Sequence, residues 1–148
     1  MSQLFEQLKD DIKTAMKQRD TERLSTLRMV HSSLKNKSID VGHDLDDEEV
    51  VEVLAKEAKK RRESVEAYEK GNRPELADKE RAELAVIQEY LPDPMTDEEA
   101  ADLVDEVIEQ TGAESRREMG KVMGAIVPRI KGRYDAGKIK DIVLDKLD

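Results

Sequence analysis

The stretch LPDPMTDEEAADLVDEVI, Leu91 to Ile108, decides how this chain is divided. Pro92 and Pro94 fix φ and remove two backbone donors, so no helix runs through Pro92-Asp93-Pro94. Just beyond, Thr96-Asp97-Glu98-Glu99 has the spacing of a capping box, threonine at the cap and glutamate three positions on. Leu103, Val104, Val107 and Ile108 then recur at helical spacing. One helix ends before this point and another starts after it. Residues 92–94 therefore read as a linker between an N-terminal helical domain, 1–91, and a small C-terminal one, 95–148.

Upstream, Leu4, Leu8, Ile12, Ala15 and Met16 mark a first helix that ends near Gln18. Asp20 is the expected cap of a second, with Leu24, Leu27, Val30 and Leu34 on one face. Lys35-Asn36-Lys37 is expected to close it, placing positive charge at the negative end of the dipole. A loop follows around Val41 to Leu45, and the acids Asp46 to Glu49 suit the first turn of a third helix. Val50, Leu54, Ala58, Val65 and Tyr68 carry that helix to Lys70, where Gly71-Asn72 stops it. Pro74 starts a fourth helix at its first position, with Leu76, Leu84, Ile87, Tyr90 and Leu91 as the apolar set.

Downstream, Gly112 ends the capped helix, and Ser115-Arg116-Arg117-Glu118 forms a second capping box. Met119, Val122, Met123, Ile126, Val127 and Ile130 keep helical spacing straight through Pro128. That proline lacks an amide and presses on the carbonyl of residue 124, which predicts a kink or break. Gly120 and Gly124 share a face that would let another helix approach. Gly132 and Gly137 flank the turn Arg133-Tyr134-Asp135, with Asp135 capping a last helix that contains Ile139, Ile142, Val143 and Leu147. The fold class is all-α, an N-terminal four-helix unit plus a C-terminal three-helix unit.

Composition agrees. The chain has 148 residues, 41% of them charged, no tryptophan, one phenylalanine and no cysteine. Cores must be built from Leu, Val, Ile and Met, and disulfide or thiolate-metal frameworks are excluded. MSQLFEQLKDDIK lacks an apolar signal region, and no run approaches the roughly 18 apolar residues of a membrane span. The expected compartment is the cytoplasm. His31 and His43 have no partner at ligand spacing, so no metal is expected. Ser32-Ser33 near Lys35 sit mid-helix, without the strained turn and oxyanion hole that serine–lysine chemistry requires. There is no phosphate loop, nucleotide fingerprint or H-E-x-x-H motif, so no cofactor is expected either.

Charge is more informative. The chain carries 26 basic and 35 acidic side chains, a formal charge of -9. Residues 40–52 hold seven acids and no Lys or Arg, and residues 92–114 hold nine acids and none. Residues 116–140 reverse this with eight bases against two acids, Glu118 and Asp135. A second basic cluster, Lys56, Lys59, Lys60, Arg61 and Arg62, falls on the third helix and is as readily explained by pairing with acids. Around the Gly132 turn, Arg129, Lys131, Arg133, Lys138 and Lys140 are expected to converge with the amides of the last helix into a phosphate-facing corner. Tyr134 would stack on a base there or pack inside.

Three segments, LSTLRMVHSSLKNKSID (24–40), KRRESVEAYEKGNRPELADKERAELAVIQEYLP (60–92) and MGKVMGAIVPRIKG (119–132), resemble the YqeY family. This family comprises free-standing bacterial relatives of the tail domain of GatB, the B subunit of the tRNA-dependent aspartyl/glutamyl amidotransferase. The resemblance covers essentially the whole chain. It implies a two-part helical fold and kinship with a module that reaches the body of tRNA, with Lys121, Lys131, Gly132 and Arg133 as the tRNA-facing element. The family shows lysine where this chain has Arg133, a conservative change for phosphate contact. The glutaminase and the kinase-like cradle of the amidotransferase have no counterpart in these residues.

The first functional reading is a non-catalytic module binding tRNA or another structured RNA through Lys121, Arg129, Lys131, Gly132, Arg133, Lys138 and Lys140. The second is a protein-interaction module docking on a component of the translation or amidotransferase apparatus. The third, a carbon–nitrogen ligase using glutamine as amide donor, lacks a catalytic constellation.

Overall fold

The computed structural model describes residues 2–147, and among these it is all-α, with seven helices, one short 3-10 turn and no strand. It divides into two compact units, Met1–Leu91 and Pro92–Asp148.

In the N-terminal unit, α1 (Gln3–Gln18) starts where the Ser2 hydroxyl accepts from Phe5 N. It ends at Arg19 in a left-handed conformation, φ 56°. The Asp20 carboxylate caps α2 (Thr21–Val41) by accepting from Arg23 N at 3.2 Å. This helix does not close at Lys35–Lys37 as the charge pattern suggested. Cations favour a C-terminus but do not stop a helix. The stop is Gly42, whose φ of 78° provides the left-handed cap one turn later. Asp46 and Glu49 form a reciprocal capping box for α3 (Asp47–Lys70), and Pro74 opens α4 (Pro74–Gln88).

Leu8, Leu27, Val30, Leu34, Val50, Leu54, Ala58 and Ile87 form the core of this unit. Leu76, expected in the apolar set of α4, is 38% exposed; its neighbour Ala77 is buried in its place. Tyr90 closes one end of the core, and its hydroxyl donates to the Asp11 carboxylate. Burial and then Asp11 push the Tyr90 pKa up.

The basic cluster of α3 is split by its packing. Arg61, 12% exposed, turns inward among Glu57 (3.6 Å), Glu80 (3.5 Å) and Glu83 (3.1 Å), and donates to Met29 Sδ. Ser33 Oγ donates to Glu57 Oε1, so the network joins α2, α3 and α4. Arg61 Nε and one Glu80 oxygen are buried without a hydrogen-bond partner despite their charged neighbours. Lys56 and Arg62 remain exposed.

In the C-terminal unit, Thr96 and Glu99 make the reciprocal capping box of α5 (Asp97–Thr111), and Gly112 ends the helix at φ 70°. The 3-10 turn Arg116–Glu118 leads into α6 (Met119–Ile130), and α7 (Ala136–Lys146) follows. Leu103, Val104, Val107, Val122, Ile126, Ile130, Ile139, Val143 and Leu147 form a second, aliphatic core.

Of the kink or break expected at Pro128 the break does not occur, and among the described residues the close helix approach expected at Gly120 and Gly124 does not occur either. The α6 helix runs through Pro128 to Ile130 without a break. Pro128 lies in the last turn, and the Gly124 carbonyl that loses its donor belongs to an exposed residue, so water can satisfy it. Among the described residues no helix packs on Gly120 or Gly124: a Cβ at either position would meet nothing within 4 Å. The helix buries the opposite side, through Val122, Ile126 and Ile130, spaced four apart.

Arg61 compensates three largely buried carboxylates, so Arg61→Ala is expected to cost about 3 kcal/mol in urea unfolding. A loss below about 1 kcal/mol would mean that the network behaves like exposed ion pairs. Burial, and then Glu83, raise the Glu80 pKa although Arg61 opposes them. A carboxyl with a raised native pKa holds its proton more tightly when folded. It therefore favours folding at low pH, and the contribution is lost as pH rises through the folded pKa. Glu80→Gln should accordingly melt above the wild type at about pH 7.5 and lose that advantage near about pH 4. A lower melting temperature at neutral pH would contradict this account.

Candidate nucleic-acid interface

The basic segment is organised by the turn between α6 and α7. Arg133 N and Tyr134 N both donate to the Ile130 carbonyl, at 2.8 and 3.0 Å. Gly132 supplies the left-handed step, φ 74°. Asp135 caps α7 by accepting from Gly137 N at 3.2 Å, as its position predicted. Tyr134 packs against the core of this unit, and its hydroxyl donates to Asp97 Oδ1 at 2.7 Å. Burial, then Asp97, push its pKa up to about 12. Of the two roles open to Tyr134, packing is the one it has.

The cations fall into three groups. Arg133 is held by structure: its Nε donates to the Asp93 carbonyl at 3.0 Å, while its own carbonyl accepts from Met95 N at 2.8 Å. It fastens the segment before α5 to the α6–α7 turn. Lys131 and Gly132 are half-buried beside it. Arg129 and Lys121 are exposed but face acids, Glu106 at 3.5 Å and Glu118 at 3.6 Å respectively. Lys138 and Lys140 are exposed, and neither has an ion-pair partner among the described residues.

Arg129, Lys131, Arg133 and Lys138 thus surround the turn, and Lys140 lies two residues further along α7. Two residues turn an α-helix by about 200°, so Lys138 and Lys140 point to different sides. Lys121 is not part of the corner. It precedes Arg129 by eight residues, about 12 Å along α6.

Arg117 is absent from the contact residues expected on sequence grounds. It is exposed just before α6, and its spacing of four from Lys121 is the signal that could have found it. Gly120 and Gly124 add no side chain to the outward side of α6, where Val127 is also exposed. Arg116 is engaged elsewhere, its Nε donating to the carbonyls of Leu144 and Leu147 at 3.2 and 3.4 Å, at the end of α7. Glu118 folds back to the Glu114 and Ser115 amides. The Glu114 contact comes first among the causes that hold its carboxyl below the usual range.

Other candidates resolve simply. His43 lies in an exposed loop with Nδ1 2.8 Å from the Asp44 carbonyl, and this contact followed by Glu49 raises its pKa. His31 stacks on Phe5. Ser33 donates to Glu57, and Ser32 is exposed on a continuous helix. No group of three His, Cys, Asp or Glu side chains suited to a metal occurs among the described residues. None of the described helices is long and apolar enough to cross a membrane.

Comparison with known proteins connects this geometry to a family. The family described as Yqey-like protein matches residues 5–147. "Altered inheritance of mitochondria protein 41, mitochondrial" of Pyrenophora tritici-repentis is 30% identical over 143 residues, covering 92% of this chain and 78% of that protein. Its namesake in Kluyveromyces lactis is 33% identical over 123 residues, 80% of this chain and 66% of that one. The namesake in Lachancea thermotolerans is 39% identical over 85 residues, 57% of this chain and 46% of that one. The chain spans about half the length of this last relative.

These names overturn the cytoplasmic expectation, because they describe mitochondrial proteins. Organellar addresses are amphipathic and basic, so the search for an apolar signal region does not bear on them. The relatives are also fungal, where the resemblance pointed to bacteria. With the chain matched from residue 5 to residue 147, the conclusion is direct: this chain belongs to the Yqey-like protein family.

Proposed function

We propose that the chain is a non-catalytic helical module that binds structured RNA, tRNA foremost, through the outward side of α6 and the start of α7. The observation that carries this reading is the group of exposed cations Arg117, Lys121 and Arg129 along α6 and Lys138 and Lys140 at the start of α7, beside the glycines Gly120 and Gly124, in a chain of net charge -9. Bare helix surface lets a sugar-phosphate backbone come close, and the cations neutralise it. No aromatic ring of this unit is free to stack, since its one described aromatic, Tyr134, is packed and hydrogen-bonded. Recognition then rests on backbone shape and charge, which favours paired RNA over single strands. The acids of α5 keep RNA off the neighbouring surface and so orient it.

A second reading, docking on a protein of the translation apparatus, draws on Ile39, which is 74% exposed beside Val41 at the end of α2. It predicts weak RNA binding and one tight protein partner. The amide-transfer reading draws on no catalytic arrangement in these residues.

Binding to bulk tRNA, followed by fluorescence anisotropy across a salt series, tests the first reading. About four phosphate contacts give a slope of log K against log salt of roughly -3 to -4. Changing Lys121, Arg129, Lys138 and Lys140 to Gln should lower affinity about tenfold or more at low salt and flatten the slope. Arg133 is left intact because its side chain holds the fold. Absence of wild-type binding at low salt would refute the RNA reading and leave the protein partner.

A further inference from the structure

The α6–α7 face leaves unexplained a second segment, Arg23 to Ile39, which covers most of α2. This stretch contains Arg23, Arg28, Lys35 and Lys37 and no acid, in a chain where acids outnumber bases by 35 to 26. Its outward side reads Ser25, Arg28, Ser32, Lys35 and Asn36, all exposed and all hydrogen-bond donors. They recur at three- and four-residue spacing, so they form one stripe along the helix. Arg28 and Lys35 lie about 10 Å apart along the axis. Neither has an ion-pair partner among the described residues.

The neighbouring helix extends this stripe sideways. His31, between Arg28 and Lys35, stacks on Phe5 of α1 with ring centroids 5.2 Å apart and planes 16° from parallel. Lys9 Nζ lies over the other ring of the pair, 4.9 Å from the Phe5 centroid. Glu6 meets Lys9 at 3.6 Å within α1, an exposed pair that a stronger anion can displace. The pKa of His31 is lowered, first by burial and then by Lys35 and Lys9, so both cations act at this point of the surface.

We propose that this α1–α2 face, centred on Arg28 and Lys35 with Lys9 beside them, is a second phosphate-binding surface that grips the backbone of an RNA. Guanidinium, ammonium, hydroxyl and amide donors in a row are the groups that contact phosphates and sugars. A protein interface would be centred on a buried aromatic or aliphatic anchor, whereas the large apolar residue exposed on this stripe, Ile39, stands at its far end. The inference depends on the RNA-binding reading above for the nature of the polyanion, but on different residues for the face.

The test uses the full chain and bulk tRNA, with three proteins measured at two salt concentrations. These are the wild type, the double variant Arg28→Gln/Lys35→Gln, and the quadruple Gln variant of α6–α7. All the substituted side chains are exposed, and circular dichroism melting checks that the fold is retained. The double variant is expected to bind at least threefold more weakly at low salt and to lose about 2 from the salt slope. The His31 pKa, followed by NMR, should rise when tRNA is added to the wild type, because phosphate offsets the nearby cations.

If the double variant binds like the wild type and only the quadruple variant fails, the α2 face is not a binding surface and the α6–α7 reading stands. If the double variant fails and the quadruple variant binds normally, the inference holds and the α6–α7 reading falls. A wild type that binds no tRNA at low salt refutes both.

Discussion

Each helix of this chain has only a narrow stripe of aliphatic side chains to bury, and everything else about the molecule follows from that constraint. With 41% of residues charged, one phenylalanine and no tryptophan, no single side chain anchors a core. The stripe of α6 is typical: Val122, Ile126 and Ile130 are buried on one side, while Gly120, Lys121, Gly124, Val127, Pro128 and Arg129 are exposed. Each buried aliphatic contributes about 1.5–3 kcal/mol, so several must act together in each unit. Helix ends must then be set locally, by Ser2, Asp20, Asp46, Thr96 and Asp135 at the starts and by Gly42 and Gly112 at the stops. Caps of this kind are worth about 1 kcal/mol each, which is appreciable beside the net stability of about 5–15 kcal/mol that remains once chain entropy opposes burial.

The same constraint leaves most of the surface to charge, and charge is sorted. Acids collect in the first turns of α3 and α5, where the helix dipole welcomes them. Bases collect on the outward sides of α2 and α6 and at the start of α7. This sorting allows a chain of net charge -9 to present local surfaces suited to a polyanion. Membership of the Yqey-like family does not itself specify the ligand, and the mitochondrial names belong to the relatives that carry them.

Not every base serves that purpose. Arg61, Arg116 and Arg133 look like surface cations in the sequence, yet each is used internally. Arg61 balances three glutamates, Arg116 covers the last carbonyls of α7, and Arg133 fastens the segment around Asp93. Guanidinium suits such positions because it reaches several acceptors at once from a planar, always charged head. Arg117, one residue from Arg116 and equally exposed, makes no such contact with the end of α7.

By itself the sequence determined the all-α class, the capping box at Thr96, the acidic first turn of α3, the proline opening of α4 and the aliphatic stripes. These depend on interactions within about four residues, so local pattern is sufficient to read them. The length of α2 was less legible, because cations at Lys35–Lys37 favour an ending but only Gly42 enforces one. Tertiary structure alone decided which side of α6 is buried against the core, leaving Gly120 and Gly124 bare, and that Pro128 leaves the helix unbroken. It alone separated Lys121 from the corner, turned Arg133 and Arg61 inward, and brought Lys9 and Phe5 to His31. Those outcomes depend on partners far away in the chain, whose approach is set by packing and by the need to satisfy buried charge, and no local spacing encodes them.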